Sequence, residues 1–306
     1  MTTTPTPPVA TEREDTPQAD VSGVKGTRPK RTHPAVTIGL IAICVLWTIP
    51  TIGLLVTSFR ERTDIETSGW WSVLASPLEI TNWTIAHYDR VLDIGMGSAF
   101  INSFVVAVPA TVIPILAAAF AAYAFAWMRF PGREVLFVLF VGLLVVPIQI
   151  AFVPLMRLFG GVGITGTFLA VWLAHAGFGM PLAVYLLRNY MSSLPREVIE
   201  SAKVDGASHF QTFWRLMIPL SVPALAAFAI FQFLWVWNDL LVAMVFLGGG
   251  RQEVVTLSLA NLIGSRGQEW HLLTAGAFIT MVVPLIVFFS LQRYFVRGMT
   301  AGSVKG

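Results

Sequence analysis

The residues able to do chemistry in this sequence fall into two groups. The first is a scatter of polar side chains inside long uncharged stretches: Asn102, Gln149, His175, Gln232, Asn238 and Asp239. A polar group in so apolar a setting is expensive to bury, which makes each a candidate for function. Asn102 and Asn238 also suit a plainer role, tying helices together at about 1 kcal/mol each. His175 reads first as a hydrogen-bonded interior histidine and only then as a proton relay. Trp172, Trp235 and Trp237 could stack on a ring-shaped ligand or anchor helix ends at an interface. The second group is a compact string, Glu197, Glu200, Ser201, Ala202, Asp205, Gly206 and Ala207, in which charges surround small residues. Small side chains let another backbone approach closely, so the chemistry of this string is docking rather than catalysis.

Catalytic arrangements are missing from the sequence. It contains no GxxxxGK[ST] phosphate loop, no HExxH pair and no credible Ser-His-Asp set in a polar context. The single cysteine, Cys44, permits neither an internal disulfide nor a paired-cysteine metal site. No metal or cofactor is expected in this chain.

The elements that must position these residues follow from composition. Of 306 residues, 55% are hydrophobic and only 12% are charged, with a mean hydropathy of +0.71. That balance lies far from a soluble domain and requires a lipid bilayer as solvent. Residues 1–33, rich in Thr, Pro and charge, cannot offset the entropy of ordering and read as a cytosolic tail. Uncharged stretches follow at 35–59, 98–128, 135–156, 167–187, 216–238 and 272–292. Each is long enough to cross about 30 Å of hydrocarbon as a helix, and none shows the alternation of a barrel strand. The first is longer than the core of a cleavable leader and is expected to stay as a span, 34–60, followed by an outer loop at 61–97. The remaining organisation is a membrane core at 98–293 and a cytosolic tail at 294–306.

The net charge of +3 does not mark a nucleic-acid face, because the basic residues sit in short segments beside apolar runs. Lys25, Arg28, Lys30, Arg31, Arg129, Arg133, Arg188, Arg196, Lys203, Arg215, Arg293, Arg297 and Lys305 all fall on one side, which the positive-inside rule assigns to the cytosol. Both termini are then cytosolic. Arg60 and Arg62, directly after the first span, are the weakest fit to that rule.

The docking string lies on the cytosolic side, in a loop at 192–217. Ser192 or Ser193 can cap a helix that opens with Pro195, Arg196 and Glu197. Asp205-Gly206 supplies its stop, since glycine takes the left-handed conformation that ends a helix. A second segment from Ser208 leads into the next span, with Phe210, Phe213 and Trp214 as anchors at the bilayer interface. By itself this pattern also allows an interfacial amphipathic helix.

Glu200-Ser201-Ala202, then Asp205-Gly206-Ala207, and later Ile218-Pro219-Leu220, closely resembles the signature loop of ABC importer permeases: Glu-Ala-Ala, two residues, Asp-Gly-Ala, and a later Leu-Pro. Ser201 and Ile218 depart from that form without disturbing the turn. The resemblance extends over residues 38–306. It implies an all-α membrane protein of about six transmembrane helices with the type I ABC importer permease fold, in a bacterial-type inner membrane. In that family the loop is a coupling helix seated on a cytosolic ATPase, a role that falls here to Glu197, Glu200, Ser201, Ala202, Asp205, Gly206 and Ala207.

The ending at 292–306, Trp237-Asn238-Asp239 and Pro195-Arg196-Glu197 resemble the carbohydrate-import branch, in particular the smaller permease of maltose-type importers. That resemblance implies a dimeric ATPase that binds ATP and Mg outside this chain, a second and different permease chain, and an extracytoplasmic sugar-binding protein. It also implies that Gly302, Val304, Lys305 and Gly306 touch the ATPase. The glycine-rich outer segment 248–271 would reach into the binding protein, with Val254, Leu257, Asn261 and Gly264 as the contacts. Candidates for the translocation path are Asn102, His175, Trp235, Asn238 and Asp239. An importer for a non-sugar solute and an ion-coupled secondary transporter are the alternatives; the latter lacks a set of midplane ionisable groups and a visible inverted repeat.

Overall fold

The computed structural model describes residues 34–75, 83–248, 252–263 and 269–300, the last nine without their side chains. The expected tail at 1–33, Gly264, and the C-terminal residues Gly302, Val304, Lys305 and Gly306 lie outside it. The helices are α1 (Pro34–Ser58), α2 (Arg62–Thr67), α3 (Ala86–Val91), α4 (Gly97–Trp127), α5 (Arg133–Gly142), α6 (Phe152–Gly161), α7 (Phe168–Ser192), α8 (Arg196–Val204), α9 (His209–Thr212), α10 (Ile218–Trp237), α11 (Leu241–Leu247), α12 (Val255–Ile263) and α13 (Trp270–Thr300). Among the described residues, five stretches are long and apolar enough to cross a bilayer, or six if one bent pair counts as a single span. The chain forms two units, residues 1–50 and residues 51–306. Within the first, the described residues 34–50 are one uninterrupted apolar helical stretch. All that follows concerns the second.

The pairings α4–α7, α4–α10 and α10–α13 carry the bundle. Trp172 donates its indole N–H to the Val105 carbonyl at 2.9 Å, and Trp127 donates to Met191 at 3.1 Å. Early residues of α4 therefore meet early residues of α7, and late meet late, so the two helices run parallel. Phe104 packs on Phe233 and Phe120 on Phe213, which makes α10 antiparallel to α4. The seam of α4 and α7 is built of small residues: Ala107, Ala110, Ala118, Ala122, Ala170 and Ala183 are fully buried. Large apolar residues such as Ile101, Val138 and Ile286 point outward instead. This inversion of the soluble pattern fits lipid, where hydrocarbon offers no hydrophobic drive between helices and close backbone packing decides association.

The stretch expected as one span at 135–156 is broken. Residues 133–145 and 148–161 meet at 100°. Val146 is extended (φ −77°, ψ 120°), as a residue before proline must be, and Pro147 cannot continue the helix. The described residues of the stretch 61–97 hold short helices, and α13 continues to Thr300.

The misfit of Arg60 and Arg62 to the charge rule has a structural reason. Arg60 is buried, 3% exposed, and its guanidinium donates to the carbonyls of Ser68 and Asp64 and to the hydroxyls of Ser68 and Ser72. Its own carbonyl lies 2.8 Å from His87 Nε2. Arg62 pairs with Glu66 at 2.9 Å, and that carboxylate raises the guanidinium above its ordinary pKa. Neither arginine is a free loop charge. One is a buried fastener for the cap of short helices, and the other is one half of an exposed helical ion pair.

One contact tests the small-residue seam. Gln232, fully buried on α10, donates its amide to the carbonyls of Ala110 on α4 and His175 on α7. A Cβ on Gly179 would stand 2.5 Å from Gln232 Oε1, so Gly179→Ala forces this anchored side chain to move. Thermal unfolding of the purified protein should show a loss of about 1–3 kcal/mol. Adding Gln232→Ala should recover part of it; strictly additive losses in that double-mutant cycle would remove the clash as the cause.

Candidate docking surface and polar core

Helix α8 opens at Pro195, whose fixed φ suits a helix start. Ser192 and Ser193, expected as its caps, belong instead to the end of α7: Ser192 is its last residue, and Ser193 Oγ donates back to Tyr190 at 2.7 Å. The end of α8 explains the spacing of the docking string. Gly206 takes φ +77°, its N–H donates to Lys203, and the Ala207 N–H donates to Ala202 at 2.9 Å. These two bonds are the paired turns of a Schellman cap. The motif needs a residue that enters the left-handed region at 206 and favours small apolar groups five positions apart, at 202 and 207. Ala-x-x-Asp-Gly-Ala is thus a helix-stop formula.

The cap sorts the string into two faces. Ile199 and Ala202 are buried against the bundle, so Ala202 holds α8 down and is not open to a partner. Glu197, Glu200, Ser201, Lys203, Asp205 and Gly206 are exposed and Ala207 is half-buried. Among the described residues the ion pairs are Arg62–Glu66, Arg133–Glu134 and His175–Asp239, so the charges on α8 have no such partner. Val204, 88% exposed, and Phe210, 68% exposed, stand beside them. Apolar side chains ringed by unpaired charges are what a recognition surface offers.

Behind this surface the chain enters the bundle through a rigid joint. Ser208 and Gln211 form a capping box: Ser208 Oγ accepts from the Gln211 N–H at 3.3 Å, and Gln211 Oε1 accepts from the Ser208 N–H at 2.9 Å. Residues 213–217 form one wide π turn that runs directly into α10. Phe213, expected at the bilayer interface, is buried and stacks on Phe120 at 4.4 Å. His209 Nδ1 meets the Tyr123 hydroxyl at 2.9 Å. Phe210 and Trp214 remain outward. Residues 209–213, which follow α8, thus pack through their rings on Phe120 and Tyr123 of α4. Arg129, Arg133, Arg188, Arg196, Lys203 and Arg215 lie at this same end, and Arg188 stacks on Phe137 at 4.5 Å.

The candidates for a translocation path are spread over two tasks. His175, 1% exposed, places Nε2 3.7 Å from Asp239 Oδ2 and meets the edge of Trp235 at 5.3 Å. Asn238 turns back to the Leu234 carbonyl at 2.7 Å. Asn102 reaches away from this cluster to the Glu253 carbonyl at 2.9 Å. The cavity beside His175 and Asp239 measures about 10 Å³, room for about one water and far too small for a sugar ring. The segment expected as a loose outer loop holds α12, with Val254 and Leu257 buried in the core and Asn261 exposed. Sequence reasoning passed over Ser103 and Thr256, both of which bond across elements. Ser103 carried a signal, since it follows Asn102 within an apolar stretch.

The described residues form a helical bundle with several apolar stretches long enough to cross a membrane and a charged, capped loop at one end. Residues 100–301 match the binding-protein-dependent transport system inner membrane component family, and the chain belongs to it. It is 60% identical to the osmoprotective compounds uptake permease protein GgtD of Synechocystis sp., over 88% of this chain and 91% of that one. It is 45% identical to the alpha-glucoside transport system permease protein AglG of Rhizobium meliloti, over 91% and 99%. A solved bacterial ABC transporter that imports the acidic polysaccharide alginate shares the fold with a TM-score of 0.60 at 14% identity, covering 86% of this chain and 95% of that chain.

The capping box has a measurable worth. Ser208→Ala should cost about 1 kcal/mol locally and speed hydrogen exchange at the Gln211 amide about fivefold. Unchanged exchange there would mean that packing of Phe213, not the cap, sets the start of α9.

Proposed function

We propose that this chain is one of two spanning subunits of an ATP-driven importer for a sugar or a sugar-like solute. The observation that carries the reading is α8: a helix pinned by its buried face and stopped at Gly206, with unpaired charges and Val204 turned outward beside the exposed Phe210 of α9. A cytosolic ATPase dimer is the partner of that surface, with ATP and Mg bound on the ATPase and none here. Nucleotide-driven movement of α8 then passes through the joint at 208–217 into α4 and α10. The end bearing α8 faces the cytosol, supported by the six basic residues gathered there, and both termini lie on that side.

The second permease is a different chain, and an extracytoplasmic solute-binding protein delivers the cargo to the opposite end. There the exposed side of α12, with Asn261, is the contact; Val254 and Leu257 support it from below, and Gly264 continues the segment. Gly302, Val304, Lys305 and Gly306 add a second contact to the ATPase. The tightness of the polar core supports a substrate path between the two permeases rather than through this chain. The relatives support two cargo classes, an α-glucoside from AglG and an osmoprotective compound from GgtD.

Two measurements test this. Uptake by reconstituted vesicles should require ATP and survive collapse of ion gradients, and calorimetry on the secreted binding protein should distinguish an α-glucoside from a non-sugar osmolyte. Gly206→Val should leave the chain in the membrane but reduce transport-coupled ATP hydrolysis at least about tenfold, because a branched residue cannot take the left-handed turn. Full coupling in that variant would sink the docking assignment.

A further inference from the structure

The outer helix α12 is fastened to the bundle by polar bonds that hydrophobic packing does not require. On one side, Asn102 of α4 donates its amide to the Glu253 carbonyl at 2.9 Å, and Ser103 Oγ accepts the Val255 N–H at 2.9 Å. On the other, the Thr256 hydroxyl donates to the Asp239 carbonyl at 2.6 Å. Asp239 is itself tied in two further directions. Its carboxylate accepts the Ala243 N–H at 3.1 Å, which fixes the start of α11, and the same oxygen faces His175 on α7 at 3.7 Å. Residues 253–256 thus hold α4, the end of α10, the start of α11 and, through Asp239, α7.

The geometry matters because α12 is short. Nine residues bounded by glycine-containing segments do not hold a fixed orientation on their own. Val254, Val255 and Leu257 give α12 a buried face, but apolar contact is non-directional and permits sliding. Directed hydrogen bonds to a serine, an asparagine and a main-chain carbonyl fix both its register and its rotation. They are also sheltered, since Ser103 and Val255 are both buried.

We infer that Asn102, Ser103, Thr256 and Asp239 form a polar clamp that makes α12 a rigid lever, so that a partner seated on its outer side moves α4, α10 and α7 rather than α12 alone. These are positioning residues, acting through α12 and touching neither cargo nor nucleotide. The inference rests on the importer reading above for the identity of the partner. The existence of the clamp does not depend on that reading.

The test uses isosteric pairs in the full chain. Thr256→Val removes the hydroxyl and keeps the shape, whereas Thr256→Ser keeps the hydroxyl; Ser103→Ala and Ser103→Thr are the matching pair. Hydrogen exchange at the α12 amides should accelerate about tenfold in Thr256→Val and Ser103→Ala, with α4 and α7 unchanged, and return towards the original rate in the hydroxyl-bearing variants. Unchanged exchange in α12, or equal acceleration throughout the bundle, overturns the clamp.

In the assembled importer, the same two variants should lose about tenfold of the ATP hydrolysis stimulated by binding protein saturated with an α-glucoside, at unchanged basal rate. A rise only in the binding-protein concentration needed for half-stimulation overturns the lever, because it makes α12 a contact and nothing more. Parallel loss of basal and stimulated rates overturns it as well. Absence of stimulation in the unaltered importer defeats the functional reading, and transmission with it, while the exchange experiment still decides the clamp.

Discussion

Hydrocarbon offers no hydrogen bonds, so every amide, carbonyl and polar side chain of this bundle has to find its partner within protein. The architecture follows from that constraint. The spans are helical, and several of their polar side chains are spent on carbonyls of neighbouring helices. Gln232 bridges α4 and α7, Trp237 donates to Thr280 on α13, and Trp172 donates to α4. Each such bond couples two helices that have no hydrophobic reason to stay together in lipid.

The same constraint separates the two ends. At the α8 end, charges remain unpaired and the chain reverses twice, at the capped turn of Gly206 and the capping box of Ser208. Both reversals satisfy the backbone locally, which leaves the side chains of α8 free for a partner. At the opposite end several polar groups are turned inward. Arg60 donates to carbonyls and hydroxyls, the rings of His87 and His271 lie 4.7 Å apart at a tilt of 59°, and α12 is hydrogen-bonded to Ser103 of α4 and to the Asp239 carbonyl. The two ends thus differ in how they treat polar groups: α8 leaves its charges exposed, and α12 is tied to the bundle by hydrogen bonds.

What was legible in the sequence was whatever depends on local chemistry. The number and approximate extent of the apolar stretches follow from composition, and four of them match helices within a few residues. The stop at Gly206 and the start at Ser208 were readable because caps are built from neighbours in the chain. The docking string could be recognised for the same reason: its spacing encodes one turn of backbone. Even the break at Pro147 had its signal, although an uncharged run of that length read as one span.

Direction and company were decided elsewhere. Nothing in the string told Ala202 to face the bundle while Glu200 and Asp205 faced out; that depends on where α4 and α10 stand. Asn102, His175 and Asp239 were visible as costly polar residues, but whether they line a passage or bind helices depends on partners far away in the chain, such as Glu253 and Thr256. Phe213 passed for an interface anchor until Phe120 and Tyr123 closed around it. The sequence by itself determined a helical membrane protein with a capped turn at Gly206, because span length and capping are local properties. The tertiary structure alone decided which polar groups are fasteners and which are presented, because a hydrogen bond between residues 103 and 255 exists only once the helices are assembled.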